Sequence, residues 1–242
     1  HGPETVAAVI AEPVARPAGA VVPGDEYWPM VRDICDRYGV VLIADEIICG
    51  FGRTGRMFGV EHWDVVPDIM TLGKGITSSY LPLSATVVKK EIADHFGGEG
   101  NQFMQAVTAS GHPVAAAAAL KNIEIIETEG LVHHCASVGA YFKEQLRELM
   151  NDHPSVGDVR GIGLLLAIEF VSDRKTKAPF PTEADISNRL SAKFKDRHLI
   201  LMASQQKITL APPLCTTRED IDEMIAALDS SIGEVESELG VA

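Results

Sequence analysis

Positive charge is in short supply in this chain of 242 residues: 21 Lys and Arg stand against 34 Asp and Glu, a formal net charge of −13. Binding a polyanion needs a dense basic face, so nucleic acid is excluded as an expected partner. Cysteine is sparse as well, with four residues at Cys35, Cys49, Cys135 and Cys215 and no CxxC pair. Neither a disulfide framework nor a thiolate zinc site is signalled, and no metal is expected. Long hydrophobic runs are missing too: no membrane-length stretch of about 18 apolar residues occurs. The start His1-Gly2-Pro3-Glu4 lacks a basic-then-apolar signal pattern. The expectation is a soluble, cytoplasmic protein with no membrane partner. Apolar material is nonetheless ample at 46% of residues. That excludes disorder, and the lack of a short repeat excludes collagen and coiled coil, leaving one or two globular domains.

The first half alternates strand-like and helix-like stretches. Val6 to Ile10 is a β-branched run stopped by Pro13. Asp25 is placed to cap a helix from Glu26 to Tyr38, with Pro29 in its first turn and Gly39 as its stop. Val40 to Ala44 and Asp68 to Leu72 are continuous apolar runs, as in strands buried on both faces, and Ser84 to Val88 is a third candidate. The pattern predicts an α/β fold with a parallel sheet. In the second half, Pro113 to Glu127 and Leu131 to Met150 read as helices, and Val159 to Val171 as a strand around Gly161 and Gly163. A helix near Ala184 to Asp196, a hairpin near Leu199 to Leu210 and a final helix from Thr217 follow. Thr216-Thr217-Arg218-Glu219 fits a capping box. The chain divides near residue 128, giving units 1–128 and 129–242, the second an α+β unit.

Gly50-Phe51-Gly52-Arg53-Thr54-Gly55 matches GxGxxG, and Val40 to Ala44 supplies the strand before it. The dinucleotide fingerprint also needs a helix opening at the third glycine, so that its amides point at a pyrophosphate. Arg56 to Val60, with Trp63 and Pro67 beyond, do not read as a helix, and Asp45 and Glu46 would repel a phosphate. Gly73-Lys74-Gly75-Ile76-Thr77 lacks the GxxxxGK[ST] spacing of a phosphate loop. A lysine between glycines at a strand end nevertheless faces the ligand crevice of an α/β sheet. In a partly dry pocket such an amine attacks carbonyls to form a Schiff base; a surface lysine in a turn is the plainer alternative. Asp45 ends the preceding strand, where a helix N-cap or a structural salt bridge is the plainer role. Yet both residues end candidate parallel strands. A carboxylate for a pyridinium nitrogen and an amine for an aldehyde are the two anchors of pyridoxal phosphate chemistry.

Other candidates carry less. His133 and His134 are adjacent on a helix and point different ways, so they do not share a metal. His112 before Pro113 reads as a helix-entry residue, Tyr80 as packing, and Glu234 to Glu238 as a solvated helix face.

At the level of motifs the chain resembles the class III pyridoxal-phosphate aminotransferases, the omega-aminotransferase family. Ala44 to Gly55 is similar to the family's DE-hydrophobic-x-x-GFGRTG segment, and Leu72 to Leu83 to its lysine motif. Thr108-Ala109-Ser110-Gly111-His112-Pro113 resembles T-[YF]-S-G-H-P. Arg160-Gly161-Ile162-Gly163 through Glu169, and Ala211-Pro212-Pro213-Leu214, resemble small-domain landmarks in the same order. The resemblance implies fold type I, with part of the large-domain sheet followed by the C-terminal α+β small domain, and pyridoxal 5'-phosphate as cofactor. It implies that Lys74 holds the cofactor as a Schiff base and shuttles the proton of the 1,3-shift. Asp45 would pair with the ring nitrogen, and Ile47 would pack on one ring face. Thr108 would bind the phosphate of the neighbouring subunit, so that a homodimer shares its active sites. Glu12 matches a family glutamate near the site, and GFGRTG becomes a structural turn.

Three departures qualify that picture. The family's proteins are longer on the N-terminal side, so a C-terminal portion is expected, without the loop that holds the phosphate and the aromatic that stacks on the ring. Ala109 replaces the usual aromatic after the threonine. Met202 stands where many relatives carry the arginine that clamps a substrate carboxylate, and a thioether cannot replace a bidentate guanidinium. Arg16, in the loop after Glu12, is a candidate to compensate, but a solvated loop arginine is the plainer role. The implied reaction moves an amino group from an omega-amine or omega-amino acid to a 2-oxo acid such as pyruvate or 2-oxoglutarate. The rivals are an aminomutase or decarboxylase on the same scaffold, or a non-catalytic assembly fragment.

Overall fold

The computed structural model describes residues 2–105, 107–201 and 203–241. Met202 lies outside them. Two compact units emerge. One combines the segment through Pro13 with Pro23–Val132; the other combines Val14–Val22 with the chain from His133 onward.

The first unit is built on four strands, β1 (Ala8–Ala11), β2 (Val41–Asp45), β3 (Ile69–Leu72) and β4 (Ala85–Val88), in the order β1-β2-β3-β4. β1, β2 and β3 are parallel, whereas β4 returns antiparallel to β3. The sheet is therefore mixed and not wholly parallel as expected, a difference the sequence does not reveal because a short apolar run carries no information about strand direction. Helix α1 (Tyr27–Tyr38) lies between β1 and β2 and buries Trp28 and Cys35. Gly39 ends it in the left-handed conformation at φ 66°, with its amide on the Cys35 carbonyl. Its N-terminus differs from expectation. Glu26 occupies the cap position with a helical backbone and no side-chain cap bond, so Asp25 does not cap.

Asp68 ties three elements of this unit together. Its carboxylate accepts from the Leu42 amide at 2.8 Å, Arg32 Nη1 at 2.9 Å and Lys89 Nζ at 2.7 Å. Burial alone would raise its pKa, but the bonds from Lys89, the Leu42 amide and Arg32 outweigh it and hold the carboxyl below the ordinary range. The short helix α2 (Lys90–Asp94) follows β4, and α3 (Pro113–Thr128) starts with His112 at its cap and proline in its first turn.

The second unit contains α4 (Leu131–Asp152), entering it at His133, then β5 (Val156–Ile162), β6 (Leu165–Phe170), α5 (Ile186–Asp196), β7 (Ala203–Ser204), β8 (Lys207–Leu210) and α6 (Arg218–Leu239). Its antiparallel sheet runs β5-β6-β8-β7. The single strand expected over residues 159–171 is a hairpin, because Gly163 at φ 58° turns the chain between β5 and β6. Phe142, Leu146, Phe170, Phe194, Ile208 and Leu228 are among its buried core. The Val14–Val22 segment joins this unit through Arg160, whose Nε donates to the Gly19 carbonyl at 2.6 Å.

Two local expectations change here. The capping box of α6 uses Thr217 and Asp220, one residue later than the Thr216–Glu219 reading, since both threonines satisfy the pattern and Thr216 is buried. The Glu234 to Glu238 stretch is not uniformly solvated. Glu236 is buried, accepting from the Ser155 amide at 2.8 Å and lying 2.7 Å from His153 Nδ1. Among the described residues no helix is long and apolar enough to cross a membrane.

Candidate active site

Strands β2 and β3 run parallel, so their C-terminal ends lie side by side, with Asp45 in register with Thr71. Neighbouring strands stand about 4.8 Å apart, which brings a carboxylate on one end and a lysine just beyond the other to the same edge of the sheet. Asp45 Oδ1 accepts from the Ile47 amide and from the Thr71 hydroxyl, each at 3.1 Å. Both bonds go to one oxygen and fix the carboxylate to the strand end. Ile47 lies beside the backbone that leads into Lys74: a Cβ on Gly73 would stand 3.5 Å from Ile47 Cγ2.

Lys74 opens a 3-10 turn (Lys74–Ile76) with an exposed side chain and a backbone φ of 38°. That is the left-handed region, which a residue with a Cβ occupies only at a cost, and such strain clusters at functional sites. Gly75 follows in close contact with the GFGRTG segment. A Cβ there would be 3.1 Å from Phe51 Cβ and 3.3 Å from the Gly50 carbonyl. Residues 50–55 form turns, with Phe51, Gly52 and Gly55 at φ 59°, 92° and 86°. A 3-10 turn (Gly59–Trp63) comes next in place of an α-helix, so among the described residues this segment offers no helix end for the pyrophosphate of a dinucleotide.

Glu46 explains how this segment is folded back. Its side chain is fully buried, with its two carboxylate oxygens accepting from the Gly59 and Val60 amides at 2.8 and 2.9 Å. Burial pushes its pKa up, the Val60 and Gly59 amides oppose this, and nearby Glu61 and Asp45 add to the rise; the net direction is upward. The neighbouring pair in sequence thus divides its work: Asp45 faces the strand edge and Glu46 pins the turns. His62 closes the same segment, its Nε2 at 3.1 Å from both the carbonyl and the hydroxyl of Thr54.

Asp45, Ile47 and Lys74 are gathered at one strand edge. Thr108 is exposed in a turn at residues 108–111 ahead of α3, and no hydrogen bond among the described residues joins it to the other three. Glu12 directly follows β1. Tyr80, expected to pack, is 84% exposed. Two participants were missed from the sequence. Thr71 is identifiable only through strand register. Asn122 on α3 donates from Nδ2 to the Gly75 carbonyl at 2.8 Å and the Ile76 carbonyl at 3.2 Å, and its only signal is a polar amide inside an alanine-rich helix.

The donor set suits pyridoxal phosphate: a primary amine, a fixed carboxylate on the adjoining strand end, and an aliphatic side chain beside them. Comparison with known proteins points the same way. The aminotransferase class-III family matches residues 1–232. Diaminobutyrate–2-oxoglutarate transaminase of Halomonas elongata is 42% identical over 97% of this chain and 51% of its own length. Taurine–pyruvate aminotransferase of Bilophila wadsworthia is 39% identical over 99% of this chain and 55% of its own. The chain therefore spans about half the length of the curated relatives it matches. An amine transaminase structure from an uncultivated Pseudomonas species, in its PLP-bound form, superposes with a TM-score of 0.93 at 43% identity, covering 97% of this chain and 53% of that one. The fold is that of the fold type I transferases, and the family's cofactor is pyridoxal phosphate. By sequence, by fold and by the residues at this strand edge, the chain belongs to the class III aminotransferases.

Proposed function

We propose that this chain is the lysine-bearing C-terminal part of a transaminase that moves an amino group from an omega-amine or omega-amino acid to a 2-oxo acid such as pyruvate or 2-oxoglutarate. The observation that carries the reading is the amine of Lys74 and the carboxylate of Asp45 at the ends of adjacent parallel strands. The acceptors named for the Halomonas and Bilophila relatives, 2-oxoglutarate and pyruvate, support the substrate class. Residues 1–128 are read as the C-terminal part of the cofactor-binding large domain and 129–242 as the small domain.

When bound, pyridoxal phosphate supplies an electron sink for the charge that develops at the donor carbon. Lys74 would hold the cofactor covalently and, once released, take a proton from the donor carbon and return it on the cofactor side. Asp45, held through Oδ1, would present its carboxylate to the ring nitrogen and stabilise its positive charge. Ile47 would cover one ring face and exclude water there. Thr108, exposed in its turn, would donate its hydroxyl to the cofactor phosphate of a neighbouring subunit, making the enzyme a homodimer with shared sites. A cytoplasmic location fits this role, with a small-molecule amine donor and a 2-oxo acid acceptor as partners.

The test is the visible absorption of the protein with added pyridoxal phosphate, followed by borohydride reduction and peptide mapping. The expected result is a covalent label on Lys74 that disappears in Lys74→Ala. A label spread over other lysines, or an unchanged spectrum in Lys74→Ala, would overturn the assignment. Transfer of the amino group to a 2-oxo acid, against release of carbon dioxide from the donor, separates the transaminase from a decarboxylase.

A further inference from the structure

We infer that Asn122, in the middle of α3, is a positioning residue for the lysine loop, holding the strained backbone from which the Lys74 amine projects. Asparagine is a poor choice inside a helix, where its side chain ordinarily competes for nearby backbone groups. Here its bonds go to a loop distant in sequence. Nδ2 donates to the Gly75 and Ile76 carbonyls at 2.8 and 3.2 Å, and Oδ1 accepts from the Ser78 hydroxyl at 2.8 Å. The orientation of the amide follows from its partners, since two carbonyl oxygens can only accept.

The loop needs such a clamp. Lys74, Ser78 and Ser79 all occupy the left-handed region, at φ 38°, 47° and 62°. The loop's own turn bonds are uneven: the Ile76 amide reaches the Gly73 carbonyl and the Tyr80 amide the Thr77 carbonyl at 3.0 Å, but directly after Lys74 the Thr77 amide reaches the Lys74 carbonyl only at 3.3 Å and the Ser78 amide reaches Gly75 at 3.4 Å. Strained conformations persist only where their surroundings over-determine them. On one side Gly75 is wedged against Phe51 and the Gly50 carbonyl. On the other, Asn122 supplies both donors and its acceptor. The carbonyls it holds belong to the two residues directly after Lys74, so a shift of this clamp moves the root of the lysine side chain.

The consequence for the cofactor rests on Lys74 being its attachment point, whereas the clamp itself does not, and the experiment separates the two. Asn122→Asp is nearly isosteric but turns an oxygen toward the two carbonyls. In the protein without cofactor, hydrogen exchange followed by mass spectrometry is expected to show the amides of residues 75–80 exchanging about tenfold faster, with the α3 interior unchanged. In the same variant, borohydride trapping of pyridoxal phosphate at Lys74 is expected to slow by about the same factor, and the circular dichroism induced in the cofactor's visible band to shrink, since that signal reports a fixed orientation. Wild-type exchange in the loop together with wild-type trapping and dichroism would overturn the inference. Faster exchange with no Lys74 label in either protein would leave the clamp standing and reject the cofactor role of Lys74. Should Asn122→Asp fail to fold, Ser78→Ala removes only the bond to Oδ1. It is expected to speed loop exchange about two- to threefold, and no change there would overturn the inference.

Discussion

Asp45 and Glu46 are chemically almost the same residue, and their one-residue separation gives them opposite surroundings. Asp45 ends β2 half-buried, with donors on one oxygen only among the described residues, while Glu46 is fully buried with a backbone amide on each oxygen. Glu46→Gln keeps the volume but replaces one acceptor by an NH2 that meets an amide N–H. The expected loss is about 1–3 kcal/mol of stability, measured by denaturant unfolding. The pH dependence has a definite sign. Because burial raises the carboxyl's pKa in the folded state, its contribution is complete below the unfolded glutamate pKa and is lost as pH rises through the elevated value. The difference between wild type and Glu46→Gln should therefore be largest on the acid side of the glutamate range and narrow toward neutrality. A difference that widens with pH would mean that the two amides, not burial, dominate this site.

Between elements, one helix stripe shows how the second unit is locked. Cys135, Gly139 and Lys143 are spaced one turn apart on α4, and each meets the turn of the β5–β6 hairpin. Cys135 Sγ accepts from the Leu164 amide at 3.3 Å, and Lys143 Nζ donates to the Gly161 carbonyl at 2.7 Å. At Gly139 the backbones approach so closely that an added Cβ would fall 2.3 Å from the Gly163 carbonyl carbon. Gly139→Ala is expected to destabilise by about 2–3 kcal/mol despite alanine's higher helix propensity, seen as a lower Tm in calorimetry. A neutral or stabilising effect would show that the hairpin turn moves freely away from α4. Nothing in the sequence announces this contact. The helix itself is legible, because Cys135, Val138, Phe142, Leu146 and Leu149 repeat at helical spacing and are buried as that spacing requires. What periodicity leaves open is which residue faces what. That is why the β5–β6 hairpin reads as one strand and β4's reversed direction is invisible, and why the bonds of Glu46 and Asn122 to distant backbone stay hidden. The lysine edge is the exception: Asp45 and Lys74 end apolar runs, and strand ends are where an α/β sheet puts its ligands.

For the whole molecule, the proposed sharing of active sites between subunits makes a prediction that neither residue nor element alone can make. Thr108 lies in an exposed turn, bonded to none of Asp45, Ile47 and Lys74, as a group serving a second copy would be. If it serves the neighbour, each site draws Lys74 from one chain and Thr108 from the other, and the two single variants fail for different reasons. Lys74→Ala destroys the attachment point in its own chain; Thr108→Ala weakens phosphate binding in its partner's site. Mixing the two variants and allowing subunits to exchange then creates dimers in which one site is intact, with Lys74 from the Thr108→Ala chain and Thr108 from the Lys74→Ala chain. At equal concentrations with random exchange, about one quarter of all sites should be intact. Borohydride trapping at limiting pyridoxal phosphate should therefore recover tight labelling of Lys74 to about that fraction, starting from none in Lys74→Ala and weak labelling in Thr108→Ala. If Thr108 instead serves the site of its own chain, every Lys74 in the mixture belongs to a chain that has lost the Thr108 hydroxyl, and no tight labelling returns, whatever the oligomeric state. Recovery at the expected fraction would establish the dimer and the direction of sharing together, because only an exchange of groups across the two-fold axis assembles a whole site from two broken chains.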